Sequence, residues 1–371
     1  MAYSEIHILP HFQFKGNYKS CREVHSGNIN NTYILEFSDG DSIRWYTMQR
    51  VNTNVFRNPR GLMGNIDAVT RHLRENILKE HGNPDRQVLE LVRANDGDCM
   101  YTDGDGGVWR AYTYITNALA LDVVTKPQQM EEVGRGFGRF QRYLADFPAE
   151  QLCETIPGFH NTIKRFEAFQ KSVAEDKAGR VHGVRAEIDF MLERGDMMGE
   201  IVRQLESGAL PLRVTHNDAK SNNVLLDEAS GKALCVIDLD TVMPGSSLYD
   251  YGDGVRFGAS AAREDERDTS RVFLDMEKAR AFTRGFVGET AGILSQEELA
   301  SLPLGAKVIT CEMAMRFLHD YLDGDIYFKI NAPDHNLVRA RAQIALQKSI
   351  EKKEPELNAM VESYISGFSD S

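Results

Sequence analysis

Cysteine is scarce in this sequence and never clustered: Cys21, Cys99, Cys153, Cys235 and Cys311 stand singly, with no CxxC pair and an odd total. That spacing excludes a zinc cage and a disulfide framework, and it reads as reduced thiols in a cytoplasmic protein. Long apolar runs are missing too. No stretch approaches about 20 apolar residues, and the opening MAYSEIHILPHFQF lacks a basic leader followed by about 7 to 15 apolar residues. Neither a membrane span nor export by that route is expected. Positive charge is in deficit: 43 Lys and Arg stand against 55 Asp and Glu, a net charge of −12, with no basic run. Such a chain repels a polyphosphate backbone, so nucleic acid is not an expected partner. A small anion remains compatible where a few donors or a metal ion reverse the field locally. Neither GxxxxGKS/T nor HExxH occurs, which excludes an ordinary P-loop kinase and an ordinary zincin.

What is present is ordinary globular material. Hydrophobic residues make up 42% and charged residues 26%, enough for a core. At 371 residues the chain is about two and a half times the ~150-residue domain norm, so two unequal lobes are expected. Composition changes near residue 116. Before it, Thr32 to Phe37, the turn Ser38-Asp39-Gly40-Asp41 and Ile43 to Val51 predict one hairpin. Asp98 to Tyr101, a turn at Thr102 to Gly107, and Val108 to Ile115 predict another. Between them Leu62, Ile66, Val69, Leu73 and Ile77 recur at helical spacing, which predicts a helix over 59–79 with one apolar face. Beyond Thr116 the stripes Val133/Phe137/Phe140/Leu144, Phe166/Phe169/Val173 and Ile188/Met191/Leu192 read as helical core. Further helices are predicted over 273–287, 305–322 and 336–352, with a strand-rich island at 212–242.

The island carries the chemistry. Residues 214–241 read VTHNDAKSNNVLLDEASGKALCVIDLDT. Lys220 and Asn223 follow Asp218 by two and five residues; an apolar run, a turn at Glu228 to Lys232 and a second apolar run come next, and Asp238 closes the unit. Phosphoryl transfer demands such a set. A hydroxyl nucleophile needs a proton acceptor, which Asp218 supplies from a short loop. A nucleoside triphosphate needs Mg2+, whose preference for hard oxygen is met by the Asn223 amide oxygen and the Asp238 carboxylate. A hairpin from Val224–Asp227 to Ala233–Ile237 would return the chain and bring Asp238 back beside Asn223. Lys220 is placed to offset charge on the transferring phosphoryl group. His216 reads as a structural residue holding the loop. Asp240 is open to two readings, a metal or substrate contact and a solvated carboxylate. Gly104-Asp105-Gly106-Gly107 lies between two strands and precedes no helix, so it reads as a hairpin turn, and Gly107 stands where a calcium loop needs a ligand.

Longer motifs surround this island: GNINNTY (27–33), WYTMQRVNTNVF (45–56), VWRAYTYI (108–115), LRVTHNDAKSNNVLLD (212–227), VIDLDTVMPGSSLYDYGDGVRFGAS (236–260), MRFLHDYLDGDIYF (315–328) and HNLVRARAQI (335–344). Through them nearly the whole chain resembles the aminoglycoside phosphotransferase and choline kinase branch of the protein-kinase-like fold, and within it the bacterial N-acetylhexosamine 1-kinases. The resemblance implies an α+β, two-lobed fold: a small antiparallel-sheet N-lobe with a helix, 1–115, for nucleotide binding, and a larger, mainly helical C-lobe, 116–371, for catalysis and sugar binding. It implies ATP- and Mg2+-dependent phosphorylation of the anomeric C1 hydroxyl of GlcNAc or GalNAc, with Asp218 as general base and Asn223 and Asp238 as magnesium ligands. It implies a hinge at Tyr114 and Ile115 for the adenine. Arg316 and Tyr327 would hold the sugar, with Asp218 and Asp238 accepting from its hydroxyls. Read without the resemblance, Arg316 is an ion-pair residue and Tyr327 a core residue.

The sequence also departs from the kinase pattern. A protein-kinase-like enzyme ordinarily has a lysine on its third strand contacting the phosphates, and MQRVN offers Gln49 or Arg50. The loop His25 to Asn31 has one glycine, so Asn28 and Asn30 either cradle phosphate or form a polar turn. Asp67 is a candidate partner for a third-strand cation. Two alternatives stay open: another small-molecule kinase of the same fold, acting on choline, homoserine, methylthioribose or an aminoglycoside, and a catalytically silent nucleotide-binding scaffold.

Overall fold

The computed structural model describes residues 4–24 and 29–369, and the chain divides into two compact units. The first comprises 1–119, 146–157 and 225–243; the second comprises 120–145, 158–224 and 244–371.

In the first unit β1 (Asn17–Val24), β2 (Asn31–Asp39), β3 (Ser42–Val51), β4 (Leu91–Val92), β5 (Tyr101–Thr102) and β6 (Val108–Thr113) form an antiparallel sheet. Its order is β1-β2-β3-β6-β4, with β5 also on β6. The predicted first hairpin is β2 and β3, closed through Gly40, whose φ of +62° is in the left-handed region that glycine enters without strain. Side chains alternate across the sheet. Tyr33, Leu35, Phe37, Tyr46, Met48, Trp109 and Ala111 share one apolar face and pack with Ile8, Leu9 and Phe12. The register sets Thr32, Gln49 and Arg110 in a row across β2, β3 and β6, between the positions of that apolar face. The predicted helix is Pro59–Lys79: Asn58 accepts from Gly61 N at 3.0 Å, Pro59 opens the first turn, and Leu62, Ile66, Val69, Leu73 and Ile77 are buried.

Two strand expectations need correction. β1, NYKSCREV, is mostly exposed and has no apolar alternation, so nothing in its pattern announces a strand. The second hairpin is shorter than predicted. Ala94 N donates to Asp98 O at 2.9 Å across a turn with Gly97 at φ +89°, which removes Asp98 to Met100 from the strand, and β6 stops at Thr113. The glycine-rich segment is the expected turn: Asp103 Oδ1 accepts from Asp105 N (3.0 Å) and Gly107 N (2.7 Å).

The second unit is mainly helical. Helices Met276–Thr290, Leu302–Asp323 and His335–Lys352 stand where three were predicted. Phe169, Ile188, Met191, Met198, Met315, Phe317 and Leu318 lie in one buried cluster. Leu192 does not; it ends its helix and is 41% exposed. Helix Pro127–Tyr143 meets Met276–Thr290 at backbone distance, because a Cβ on Gly134 would collide with the Phe282 carbonyl and one on Gly285 with that of Glu131. Five short strands follow the sheet in sequence: β7 (Ala118–Ala120), β8 (Arg213–Thr215), β9 (Val224–Asp227), β10 (Ala233–Val236) and β11 (Met243–Gly245). They pair as β10-β9-β7 and β11-β8. An antiparallel sheet with one long helix followed by a mostly helical remainder is the α+β arrangement expected. All five cysteines are free thiols, and among the described residues no helix is long and apolar enough to cross a membrane.

Candidate active site

β8 leads into the loop His216-Asn217-Asp218. His216 is fully buried, and its ring meets Phe137 and Phe140 edge-on at 5.4 and 5.9 Å. Asp250, from helix Ser247–Gly258, accepts the backbone N–H groups of His216 (2.9 Å) and Asn217 (2.7 Å) and Gln141 Nε2 (2.6 Å). Burial raises the Asp250 carboxyl pKa against the opposing pull of His216 and these donors. The loop is therefore fixed from behind by a carboxylate that the sequence reading did not single out. Asn217 is left-handed at φ +64°, a conformation asparagine tolerates, and its Oδ1 accepts from Thr215 Oγ1 at 2.9 Å.

The turn brings Asp218, Lys220 and Asn223 together. Lys220 Nζ lies 2.9 Å from Asp218 Oδ2. Asn223 Nδ2 donates to Asp218 O at 2.8 Å and to its Oδ2 at 3.3 Å. With the nitrogen so engaged, Asn223 Oδ1 makes no hydrogen bond among the described residues and suits a hard cation. The Asp218 side chain is 30% exposed. Partial burial pushes its carboxyl up, but Lys220, and behind it His216 and Arg256, hold it below the ordinary carboxylate value. It is an ionised acceptor at neutral pH.

Asp238 belongs to the first unit. β9 leaves directly from Asn223 and β10 returns to Val236, two residues before it. Its φ of +59° is left-handed, and the turn Leu239–Thr241 follows. Asp240 is not solvated. It is buried in an ion pair with Arg110 and accepts from Asn30 Nδ2 at 2.6 Å. Arg110 Nε donates to Gln49 Oε1 at 2.9 Å, and Gln49 Nε2 donates to Thr32 Oγ1 at 3.0 Å. Asn30 Oδ1 accepts from Asn52 N at 2.9 Å. The side chains of Asn30 and Gln49 thus tie the segment after Asp238 to the sheet. Burial alone would lower the Arg110 pKa; Asp240, with Asp238 further off, raises it above its ordinary value. Arg50 lies on the other face, over Trp109 at 5.8 Å, and Asp67 pairs with Arg93 and Arg71. Tyr114 N already donates to Trp45 O at 3.0 Å, while Ile115 is buried. Asn28 lies outside the described residues.

Arg316 and Tyr327 stand in a second cluster, wholly within the second unit. Glu312, 0% exposed, faces His160 Nδ1 at 2.8 Å, Arg165 Nε at 3.3 Å and Arg316 Nη1 at 3.9 Å. His160 Nε2 faces the carbonyl of Asn217, next to Asp218, at 3.2 Å. Burial pushes the Glu312 carboxyl up, but His160, Arg165 and Arg316 hold it down to about 2. The same burial, with repulsion from Arg316, lowers Arg165 to about 10. The Arg316 guanidinium lies over Phe159, Tyr327 and Phe328, 5.2, 5.9 and 5.5 Å from the ring centroids. Asp320 holds the segment bearing the last two, accepting from the N–H groups of Ile326, Tyr327 and Phe328 at 2.9, 2.7 and 2.9 Å. The sequence singles out none of Arg110, Asp250, His160, Arg165 and Glu312; Arg110 and Asp250 lie inside the motifs at 108–115 and 236–260, while His160, Arg165 and Glu312 lie in no motif.

A family model described as the phosphotransferase enzyme family matches residues 20–282. Solved structures share the fold. A microcompartment-associated aminopropanol kinase is 15% identical with a TM-score of 0.60, the match covering 95% of this chain and 97% of that one. An aminoglycoside phosphotransferase from Alicyclobacillus acidocaldarius is 12% identical with a TM-score of 0.60, covering 96% and 95%. A choline kinase from Cryptosporidium parvum is 14% identical with a TM-score of 0.56, covering 93% of each chain.

Proposed function

We propose, from the premise that this chain belongs to the phosphotransferase enzyme family, that it is a kinase transferring the γ-phosphoryl group of ATP to the anomeric C1 hydroxyl of an N-acetylhexosamine. The observation that carries the reading is the Asp218 turn, where an ionised carboxylate is ion-paired to Lys220 and held by the Asn223 amide nitrogen.

Asp218 accepts the C1 hydroxyl proton as that oxygen bonds to the γ-phosphorus in line, while the bond to the β–γ bridging oxygen breaks and ADP leaves. A carboxylate held below its ordinary pKa is a weak base. It suits a loose transition state in which the nucleophile must be oriented and its proton received late. Lys220 offsets negative charge on the transferring group. Asn223 Oδ1 would supply an oxygen donor for Mg2+, which when bound would neutralise phosphate charge, and the family resemblance gives the Asp238 carboxylate the same part. Asn30 and Gln49 act on the nucleotide side by holding the segment that carries Asp238, with Ile115 rather than Tyr114 offering a backbone N–H to adenine. Arg316 donates to sugar oxygens, Tyr327 covers the ring, and Asp218 accepts from sugar hydroxyls, a part that the resemblance also gives Asp238.

An acceptor panel tests the reading. ADP release with GlcNAc, GalNAc, choline, homoserine, methylthioribose and an aminoglycoside should be largest for the two sugars, and Asp218→Asn should lower kcat about a thousandfold. Turnover of choline or an aminoglycoside but of neither sugar would contradict the acceptor. Equal rates in Asp218→Asn would contradict the mechanism.

A further inference from the structure

Three aromatic rings beside a carboxylate are the chemistry that receives a quaternary ammonium or a protonated amino alcohol. Phe159, Tyr327 and Phe328, with Glu312 nearby, make up those parts, but the position among the rings is filled by the guanidinium of Arg316, 3.9 Å from Glu312, and the Arg165 guanidinium lies 5.8 Å from the Phe159 ring centroid as well. We propose that Arg316 is a resident cation in this aromatic pocket and that, with Arg165, it makes the acceptor site select against positively charged alcohols in favour of neutral, oxygen-rich ones. The inference rests on the reading above in placing the acceptor at Arg316 and Tyr327.

Charge and hydrogen bonding both point this way. Two guanidiniums face one carboxylate, so the cluster is already positive before any contribution from His160. A cationic acceptor would meet like charge beside a guanidinium whose side chain is only 11% exposed. The guanidinium is a fork of five N–H donors, and among the described residues Arg316 has only the Met313 sulfur, at 3.3 Å, as a hydrogen-bond acceptor, with Glu312 Oε1 at the limit of an ion pair. Glu312 Oε1 is itself buried without a hydrogen bond. Donors in excess of acceptors, on a side chain only 11% exposed, call for a ligand that brings oxygen lone pairs and no positive charge. The Asn217 carbonyl, bonded by His160, ties this cluster to the catalytic turn.

Choline and its uncharged carbon isostere, dimethylbutanol, differ by one charge at constant shape, so their binding to the wild-type protein in the presence of an ATP analogue tests the charge rule directly. The isostere should bind about tenfold more tightly than choline, the size expected of a like-charge contact. Choline binding as tightly as the isostere, or more tightly, would overturn the proposal. The variants Arg316→Gln and Arg316→Lys, checked for unaltered nucleotide binding, locate the effect. Arg316→Gln should gain choline affinity by about tenfold, because the position among the three rings then holds no cation, and Arg316→Lys, still cationic, should gain none. Equal gains in both variants would remove Arg316 as the determinant. These binding measurements do not depend on turnover of any sugar. Should neither N-acetylhexosamine be phosphorylated, the proposed reaction fails while the charge rule is still decided.

Discussion

Two buried charge clusters in this molecule differ in their balance. In the first unit Arg110 and Asp240 stand one to one, and Gln49, Thr32, Asn30 and Asn52 complete the hydrogen bonds around them. In the second unit Arg165 and Arg316 share Glu312, which among the described residues keeps a buried oxygen without a hydrogen bond, while Arg316 keeps donors that no described residue satisfies. A balanced cluster holds backbone in place, here the segment after Asp238. An unbalanced one leaves part of its interaction energy to be realised with a ligand. The Asp250 network under the Asp218 turn falls on the balanced side, its carboxylate taking three N–H donors.

The largest effect should come from breaking the balanced pair. Arg110→Met leaves Asp240 buried without its partner and should lower unfolding free energy by about 3 to 5 kcal/mol, whereas Arg110→Met combined with Asp240→Leu should recover most of it. Urea unfolding of both measures this; an unchanged midpoint for the single variant would erase the distinction. The unbalanced cluster should respond in the opposite sense. Arg316→Gln removes an Arg–Arg repulsion and should change stability by less than about 1 kcal/mol, while the sugar KM rises about tenfold. A defect confined to the ATP KM would count against Arg316 as an acceptor ligand. A further effect is confined to acid. Glu312 titrates at about 2 when folded against an ordinary 4.5, so its stabilising contribution is complete above pH 4.5 and is lost as pH falls toward 2. Unfolding followed from pH 5 down to about 2 should be less steep in Glu312→Gln, which has no carboxyl there to protonate; equal slopes would show that this carboxylate is not held by its neighbours.

The parts legible in the sequence are those whose interactions are local. The helix Pro59–Lys79 carries its own apolar stripe, asparagine cap and opening proline, and the β2–β3 hairpin carries its own turn. The Asp218, Lys220 and Asn223 set is legible because one short turn supplies all three. Asp250 was not, because its role appears only once helix Ser247–Gly258 is docked behind a loop more than thirty residues earlier in the chain. Arg110 was missed for a different reason: a search for a cation on β3 overlooks a guanidinium from the neighbouring strand β6, whose register sets it beside Gln49. Asp240 looked equally suited to solvent or to a ligand until that arginine was in place. The cluster around Glu312 draws on 159–165, helix Leu302–Asp323 and the segment 327–328, and no spacing rule links them. β1 stayed hidden because an exposed edge strand needs no apolar alternation.

The proposed reaction is tested most directly by the product. ATP, Mg2+ and GlcNAc or GalNAc incubated with the protein should give a phosphate ester whose phosphorus couples to the anomeric proton in a phosphorus–proton NMR correlation, with the amide and the other hydroxyls unmodified. A phosphorus coupled to the C6 protons, or no sugar phosphate while another acceptor in the panel is consumed, would contradict the account.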